Sequence, residues 1–142
     1  KETARVLQVH SDGLTWFHTD DIGMFDEDGF LYFKERMNRM FIKKGYNIYP
    51  NQLEQVLSSF EGVEQSCVIG IRKDDSVKKI KAYIVLADTY MTNDETKDKI
   101  FEYAKSNISK YEMINEIEFI ESLPMTSIGK VDYCKLEAEE GL

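Results

Sequence analysis

Apolar positions follow two different patterns along the chain, and the pattern changes near residue 38. Before it, short aromatic runs alternate with Asp and Gly, as in the run 30–34 that follows Asp26-Glu27-Asp28-Gly29. Runs of this kind on either side of a turn predict a β-hairpin, here 23–25 with 30–34, and a further short strand is predicted at 16–18. A hairpin this small cannot enclose side chains, so we expect it to lack a core of its own.

After residue 38, two segments carry apolar residues three and four positions apart, the spacing of one helical face. The first segment begins at Pro50, which suits a first helical turn, and ends at Glu61-Gly62. The second begins with Thr92 and Glu95, a capping-box pattern. The stripes predicted to be buried are Leu53, Val56, Leu57 and Phe60 in the first helix, and Ile100, Ala104 and Ile108 in the second.

Runs with the composition of strands separate these helices. They predict a short strand at 46–48 and three longer ones at 64–71, 79–87 and 116–120, with a polar turn around Asp74-Asp75-Ser76 and a short last helix at 132–139. The fold class predicted is therefore α+β, a small three-stranded sheet with flanking helices, preceded by the β-hairpin.

A polar segment without a turn glycine, 35–39, lies between the hairpin and the second region. It predicts a boundary that leaves 1–37 as the end of another domain and 38–142 as a domain of its own. A chain of 142 residues is long enough for one such domain plus an appendage, without disulfides or metals.

Composition excludes several classes of partner. Twenty-six acidic against eighteen basic side chains give a net charge of −8, which disfavours nucleic acid and anionic membrane surfaces, and no apolar run approaches the length of a membrane span. Cys67 and Cys134 have no second thiol at metal or redox spacing, which predicts reduced cysteines and a cytoplasmic protein. His10 and His18 lack the spacing of metal ligands, so we predict no metal site and no catalytic role for either.

Three charged side chains are candidates for chemistry on their residue types alone. Lys130 follows a glycine in the loop 124–130, so its ammonium can reach into a site built elsewhere, although such turns are more often solvated loops. Asp21 follows a predicted strand, where a carboxylate can accept hydrogen bonds from both hydroxyls of a ribose, although a turn or cap role is the alternative. Arg36 can grip oxygens in pairs, with a surface salt bridge to Glu35 or a nearby acid as its alternative.

The order and spacing of five segments, from Trp16-Phe17-His18-Thr19-Asp20-Asp21-Ile22-Gly23 to Pro124-Met125-Thr126-Ser127-Ile128-Gly129-Lys130, resemble the C-terminal (lid) part of the adenylate-forming, or AMP-binding, superfamily. That family contains acyl-CoA synthetases, adenylation domains of peptide synthetases and luciferases. The resemblance runs from about Glu2 to Leu136 and is greatest to bacterial acyl-CoA synthetases. Because the chain begins with Lys1 rather than Met, we expect a fragment of a longer protein.

The resemblance implies roles for the three charged candidates. Asp21 aligns with the ribose ligand of a Thr-Gly-Asp motif, in which Asp20 replaces the glycine, and Asp tolerates a left-handed backbone better than most residues. Arg36 aligns with an arginine that contacts the ribose or phosphate. Lys130 aligns with the lysine of Pro-x-Thr-x-x-Gly-Lys, which bridges the substrate carboxylate and the nucleotide during adenylation.

The resemblance also implies a second set of residues on the thiol side. Asn38 falls at the hinge, where the family usually has Asp or Lys. Gly45, with Tyr46 and Asn47, aligns with the loop that lies against the pantetheine arm of the acceptor. Ile42 and Asn47 stand where luciferases and plant aryl-CoA ligases carry a lysine and a glutamine, and Ile42 cannot supply a charge.

The function implied by this resemblance is that of an acid–thiol ligase that uses ATP, Mg²⁺ and CoA to convert a carboxylic acid to acyl-adenylate and then to acyl-CoA. In this reading the lid supplies Lys130, rotates about Asn38, and then presents the Gly45 loop. The metal, the acid and most of the ATP would be held outside this chain, which we expect to be inactive alone. The alternatives are an adenylation domain that loads a carrier protein, and a noncatalytic binding module.

Overall fold

The computed structural model describes residues 2–74 and 76–141, apart from the side chains of Glu2 and Arg5. Asp75, part of the predicted turn after the first long strand, therefore lies outside the described residues. The chain forms two compact units, one ending at Arg39 and the other beginning at Met40. The role of Asn38 as a hinge stays a prediction.

The first unit consists of one short helix and two antiparallel strand pairs. The predicted hairpin is present, and its turn is ordered by the Asp26 carboxylate, which accepts the N–H groups of Asp28 and Phe30. Its second strand continues two residues past the predicted end, because Glu35 pairs with Ile22 and Arg36 with Asp21. The elements are α1 (Glu2–Val6), β1 (Leu7–Val9), β2 (Thr15–Phe17), β3 (Asp21–Phe25) and β4 (Leu31–Arg36), with β1 paired to β2 and β3 to β4.

The second unit has the predicted α+β fold. Its three-stranded sheet has the order β7-β8-β9, in which β7 and β8 are antiparallel and β9 is parallel to β8. A two-stranded ribbon, β5 with β6, precedes it. The elements are β5 (Phe41–Lys43), β6 (Tyr46–Ile48), α2 (Pro50–Ser58), β7 (Val63–Lys73), β8 (Ser76–Leu86), α3 (Asp94–Asn107), a 3₁₀ turn (Lys110–Glu112), β9 (Glu116–Phe119) and α4 (Tyr133–Glu139).

Alternate residues of the sheet build a core on each of its two faces, as the period of a strand requires. On one face Ile80 and Ile84 pack with Leu53 and Leu57 of α2 and Ile100 of α3, all at most 1% exposed. On the other face Cys67, Ile69 and Tyr83 pack with Leu136 of α4 and with Leu123, which lies in the segment before that helix. Helix α4 and the segment that leads into it are therefore fixed to the sheet by their own buried residues.

The capping box predicted for Thr92 and Glu95 is wrong. Asn93 caps α3 instead, in extended backbone, and its side-chain oxygen accepts the Thr96 N–H at 2.9 Å. Asn is as good an N-cap as Thr. Only the residue directly before the first helical position can accept the free backbone N–H groups of the first turn. A capping box does occur in the chain, between Ser109 and Glu112 of the 3₁₀ turn.

Helix α2 begins at Pro50 as predicted but ends at Ser58, before Phe60. A turn follows in which Gly62 has φ +96° and lies against the ring of Tyr90. A Cβ at this position would meet that ring at 2.5 Å, so a glycine is needed here for both conformation and space. Within the described residues, no helix has the length and apolar character needed to cross a membrane.

Candidate functional site

The loop that carries Lys130 is closed on itself by hydrogen bonds. Met125 and Val131 form an isolated antiparallel bridge, and the Thr126 N–H donates to the Lys130 carbonyl at 2.7 Å. In the opposite direction the Lys130 N–H donates to the Thr126 hydroxyl oxygen at 3.1 Å. Gly129, at φ +76°, makes the reversal between them. The backbone of Lys130 is therefore fixed while its side chain is exposed.

These contacts give a physical reason for the spacing of Thr126, Gly129 and Lys130. A threonine four residues before the lysine can accept its amide proton, and a residue with positive φ must stand directly before the lysine to turn the chain. The loop is also coupled to α4, since the Asp132 N–H donates to the Pro124 carbonyl at 2.8 Å and the Asp132 carboxylate accepts the Lys135 N–H.

The far end of α4 is held by an ion cluster around a buried lysine, which the sequence reasoning missed. Lys81 of β8 is 4% exposed, and its ammonium pairs with Glu118 of β9 at 2.7 Å and with Glu140, the residue after α4. The Tyr83 hydroxyl donates to the same Glu140 carboxylate at 2.7 Å. The signal available was the position of Lys81 inside an apolar strand, two residues from Tyr83 and so on the same face.

The cluster shifts the pKa values of Lys81, Tyr83 and Glu140. Burial alone would lower the pKa of Lys81, but its hydrogen bonds to Glu118 and Glu140 outweigh burial and raise it. Burial and the bond to Glu140 raise the pKa of Tyr83 to about 12. The hydrogen bonds from Lys81 and then Tyr83 lower the pKa of Glu140. At neutral pH Lys81 is therefore a cation, Glu140 an anion and Tyr83 a neutral phenol.

Asp21 and Arg36 are brought together at the end of the β3–β4 hairpin, where they face each other across the strands. The Arg36 Nε donates to Asp21 Oδ1 at 2.9 Å, and the two side chains remain 52% and 34% exposed, respectively. The acid that pairs with Arg36 is therefore Asp21. Glu35 instead is buried, and its carboxylate accepts the Arg36 backbone N–H.

The backbone before Asp21 adopts the conformation that a glycine would favour. Asp20 has φ +60°, in the left-handed region, and its carbonyl accepts the Met37 N–H at 2.7 Å. The turn therefore forms with Asp in place of the family glycine. Beside it lies a cavity of about 250 Å³, lined by Thr19, Asp21, Ile22, Gly23, Leu31 and Phe33.

Asn38 lies in the exposed turn that follows β4, directly before the end of the first unit. The turn is closed by the Arg39 N–H, which donates to the Arg36 carbonyl at 3.0 Å. Arg36 is the last residue of β4, and Asn38 lies two residues later in the turn that ends this strand.

Gly45 lies at the tip of the β5–β6 ribbon. Lys44 and Gly45, at φ +52° and +85°, form a tight turn between Lys43 and Tyr46, which pair across the strands. Two consecutive residues with positive φ are the signature of the hairpin turn that matches strand twist. Gly45, Tyr46 and Asn47 are exposed, and in the described part of the chain no atom beyond the two neighbours of Gly45 lies within 4 Å of the position that its Cβ would take. Ile42 is 58% exposed.

The ribbon is joined to the segment before β9 by two contacts that sequence reasoning did not find. Lys43 is 6% exposed, and its ammonium donates to Asn115 Oδ1 at 2.8 Å and to the Met113 carbonyl at 3.3 Å. Burial and the nearby charge of Lys44 lower the pKa of Lys43. The ring of Tyr46 stacks on that of Tyr111, with centroids 4.4 Å apart.

The candidate residues therefore fall in three places: the Asp21–Arg36 pair with Asn38 nearby in sequence, the Gly45 turn, and the Lys130 loop. Among residues 2–74 and 76–141, no group of three or more His, Cys, Asp or Glu side chains could hold a metal ion. His10 and His18 instead bond to each other, with their Nε2 atoms 2.8 Å apart.

Comparison with known proteins identifies the family. The family model of the AMP-binding enzyme C-terminal domain matches residues 52–130. The chain is 37% identical over 128 residues to a 2-succinylbenzoate–CoA ligase of Listeria monocytogenes, which covers 89% of the chain and 26% of the relative. It is 34% identical over 140 residues to a long-chain-fatty-acid–CoA ligase of Bacillus subtilis, which covers 99% of the chain and 24% of the relative.

The fold agrees with that of a solved relative. The crystal structure of an ATP-bound MatB–BclM chimera superposes with a TM-score of 0.86 at 26% identity, over 98% of this chain and 27% of that one. The chain thus spans about a quarter of the length of the relatives it matches. On these matches, the chain belongs to the AMP-binding enzyme C-terminal domain family.

Proposed function

We propose that this chain is the C-terminal lid of an ATP-dependent acyl-CoA synthetase, joined to the last hairpin of that enzyme's large N-terminal domain. Family membership and the names of the curated relatives, which are CoA ligases, support the proposal. The observation that carries it is the Lys130 loop, in which Thr126 fixes the lysine backbone and leaves the side chain exposed.

In the first step a carboxylate oxygen of the acid attacks the α-phosphorus of ATP, and the bond to pyrophosphate breaks. Two anionic groups must approach each other, so a cation between them offsets their repulsion and stabilises charge that develops at the phosphate. Lys130 supplies that cation. Because its backbone is held by Thr126, the ammonium explores a smaller volume than it would on an open loop.

Asp21 and Arg36 hold the nucleotide in this proposal. Arg36 uses Nε for Asp21, which leaves the terminal nitrogens of its guanidinium for ribose or phosphate oxygens. The ion pair in turn orients the Asp21 carboxylate, so that it can accept hydrogen bonds from ribose hydroxyls. Both side chains are open enough to reach a ligand.

In the second step the thiol of CoA gives its proton to water while its sulfur attacks the acyl carbonyl carbon, and the bond to AMP breaks as the thioester forms. Here the lid turns about Asn38, Lys130 withdraws, and the Gly45 turn lies against the pantetheine arm. Gly45 has no side chain, and no atom beyond its two chain neighbours lies within 4 Å of its Cβ position among the described residues, which lets that arm pass close to the backbone. The exposed Ile42 provides no charge for this step.

Mg²⁺ does not fit the described part of this chain, which offers no cluster of metal ligands, and we derive no step through it. The two curated relatives are named for different acids, so the proposal specifies only a carboxylic acid. Because the chain spans about a quarter of its relatives, we propose that it does not turn over alone.

The proposal is tested with Lys130→Ala in the full-length enzyme. Pyrophosphate release should fall by about 10²-fold, the scale of one lost electrostatic contact in the transition state. Thioester formation from supplied acyl-adenylate should be retained, because the lysine has left the site by then. Lys135→Ala, an exposed lysine on α4, is the matched control and should leave both steps unchanged. An equal loss of both steps in Lys130→Ala would contradict the role given to this lysine.

A further inference from the structure

The Gly45 turn is flanked by two side chains that reach the same segment of the chain. Lys43 and Tyr46 form the last pair of the β5–β6 ribbon, so their side chains leave the same face of it. Lys43 reaches Met113 and Asn115, and Tyr46 reaches Tyr111. Both residues nearest the turn are therefore tied to the segment 111–115.

The contact made by Lys43 is chemically demanding. An ammonium group that is 6% exposed has lost most of its hydration, and the two groups it bonds to are neutral oxygens rather than a carboxylate. A methionine would fill similar space without that desolvation cost, but it could not donate to Asn115. What Lys43 adds is a directed bond to a defined point.

That point is itself fixed to the central sheet. The Asn115 side-chain oxygen that accepts from Lys43 also accepts the Ile80 N–H at 2.8 Å, and the Asn115 N–H donates to the Ile80 carbonyl at 2.8 Å. Asn115 therefore continues the ladder between β9 and β8. Through it, the tip of the ribbon is bonded to the middle strand of the sheet.

The stack of Tyr46 on Tyr111 adds a second attachment. The rings are nearly parallel, at 13° and 4.4 Å between centroids, and lie at the surface, where both residues are about half exposed. A ribbon of two three-residue strands has little stability of its own, and Phe41 and Ile48 bury only its base. The two attachments restrain the end that carries Gly45.

We propose that Lys43, with the Tyr46–Tyr111 stack, is a positioning device for acyl transfer, which holds the Gly45 turn at a fixed angle to the sheet so that it can guide the thiol arm. The inference rests on the proposed function, in which this turn meets the pantetheine arm in the second step only. Neither Lys43 nor the stack touches the reacting atoms. Adenylation, which uses the Lys130 loop, does not depend on them.

The test measures each half-reaction separately in the full-length enzyme. Lys43→Met should raise the KM for CoA about tenfold in thioester formation from supplied acyl-adenylate, because a misplaced turn weakens the approach of the thiol. Pyrophosphate release should stay within about twofold of the wild type, a change too small to mark a lost positioning contact. Tyr111→Ala should also raise the KM for CoA. Tyr111→Phe retains the stacked ring and should have the wild-type KM for CoA.

Lys79→Met is the matched control, because Lys79 is an exposed lysine of β8 paired with Glu116, and it should change neither step. An unchanged KM for CoA in both Lys43→Met and Tyr111→Ala overturns the inference, as does an equal loss of both half-reactions in these variants. If the wild-type enzyme forms no thioester with CoA, the proposed function fails instead. If the wild-type enzyme forms thioester with CoA and the variants do so equally well, the result contradicts only the positioning device.

Discussion

The two units of this chain differ in where their apolar side chains lie. In the second unit the apolar residues of sheet and helices form two buried cores, and Ile80, Leu57 and Ile100 are fully enclosed. In the first unit Phe25, Phe30 and Phe33 are between 57% and 69% exposed, and the one buried residue among its described side chains is Glu35. The second unit therefore contains its own core, whereas the large apolar side chains of the first unit are exposed.

This difference shows that an element with regular backbone hydrogen bonds need not be stable when it is isolated. The β3–β4 hairpin has paired strands and an ordered turn, yet most of its large apolar side chains are exposed. The Asp21–Arg36 pair lies on this hairpin, whereas Lys130 lies on the unit with a core. The two groups of candidate residues should therefore respond very differently to perturbation.

The largest expected difference is between the units as separate polypeptides. Residues 40–142 should fold alone in one cooperative transition, because both cores are complete within them. Residues 1–39 should give no cooperative transition, since a small hairpin without a core is marginal in water. Circular dichroism during thermal unfolding measures both. A cooperative transition in the short peptide would show that its apolar face is satisfied within the unit.

A matched pair of leucine substitutions in this chain tests the same difference at single residues. Leu57→Ala removes a fully buried side chain from α2 and should lower the free energy of unfolding by about 2–5 kcal/mol. Leu31→Ala removes a side chain that is 65% exposed and should change it by less than about 0.5 kcal/mol. Urea unfolding measures both values. Similar losses would mean that the hairpin belongs to the same cooperative unit as α2.

The fold was predictable where periodicity and turn chemistry agree. The spacing of Leu53 and Leu57 after Pro50 predicted α2, and the aromatic run around the Asp26 to Gly29 turn predicted the hairpin. Errors arose at helix ends, where several neighbouring residues are adequate caps. Asn93 rather than Thr92 caps α3, because it stands directly before the first helical residue. Helix α1 and strand β1 were not predicted, since their short apolar runs have no clear period.

The candidate site was predicted only as a set of residues, and their roles stay predictions. Asp21, Arg36 and Lys130 were chosen from residue type and motif, which give no distances, so the sequence did not show which acid pairs with Arg36. Lys43 and Lys81 were missed for a different reason. Each is a charged residue in a strand, where composition favours a solvated side chain, and only the tertiary position of Asn115 or Glu140 explains its burial.

A smaller effect is expected at the ion cluster of the second unit. Because the folded state lowers the pKa of Glu140 below its ordinary 4.5, its stabilisation is present above pH 4.5 and is lost as the pH falls through the folded value. Glu140→Gln should therefore destabilise the chain by about 1.5 kcal/mol at pH 7, with Glu118 still pairing with Lys81, and by progressively less below pH 4.5. Urea unfolding from pH 3 to pH 8 measures the difference.

Asp12 of the first unit provides the control for this titration. Its carboxylate accepts the Leu14 N–H and the Trp16 indole N–H, which lower its pKa, but it is fully exposed on a unit without a core. Asp12→Asn should leave the unfolding of the chain unchanged at every pH. A difference between wild type and Glu140→Gln that does not depend on pH would contradict the role of the ionised carboxylate.

The smallest effect separates the units through backbone strain. Lys44 and Asp20 both have left-handed φ, at +52° and +60°, where a glycine avoids a cost of about 1–2 kcal/mol for an ordinary residue. Lys44→Gly relieves this strain and removes a positive charge near Lys43, both of which stabilise the folded chain. The greater freedom of glycine in the unfolded chain offsets part of that gain, so the net stabilisation should be about 0.5 kcal/mol. Asp20→Gly should leave the transition unchanged, because the first unit contributes no core to it and because Asp tolerates this conformation. Differential scanning calorimetry of the two variants resolves such shifts, and an equal gain from both would mean that the two units unfold together.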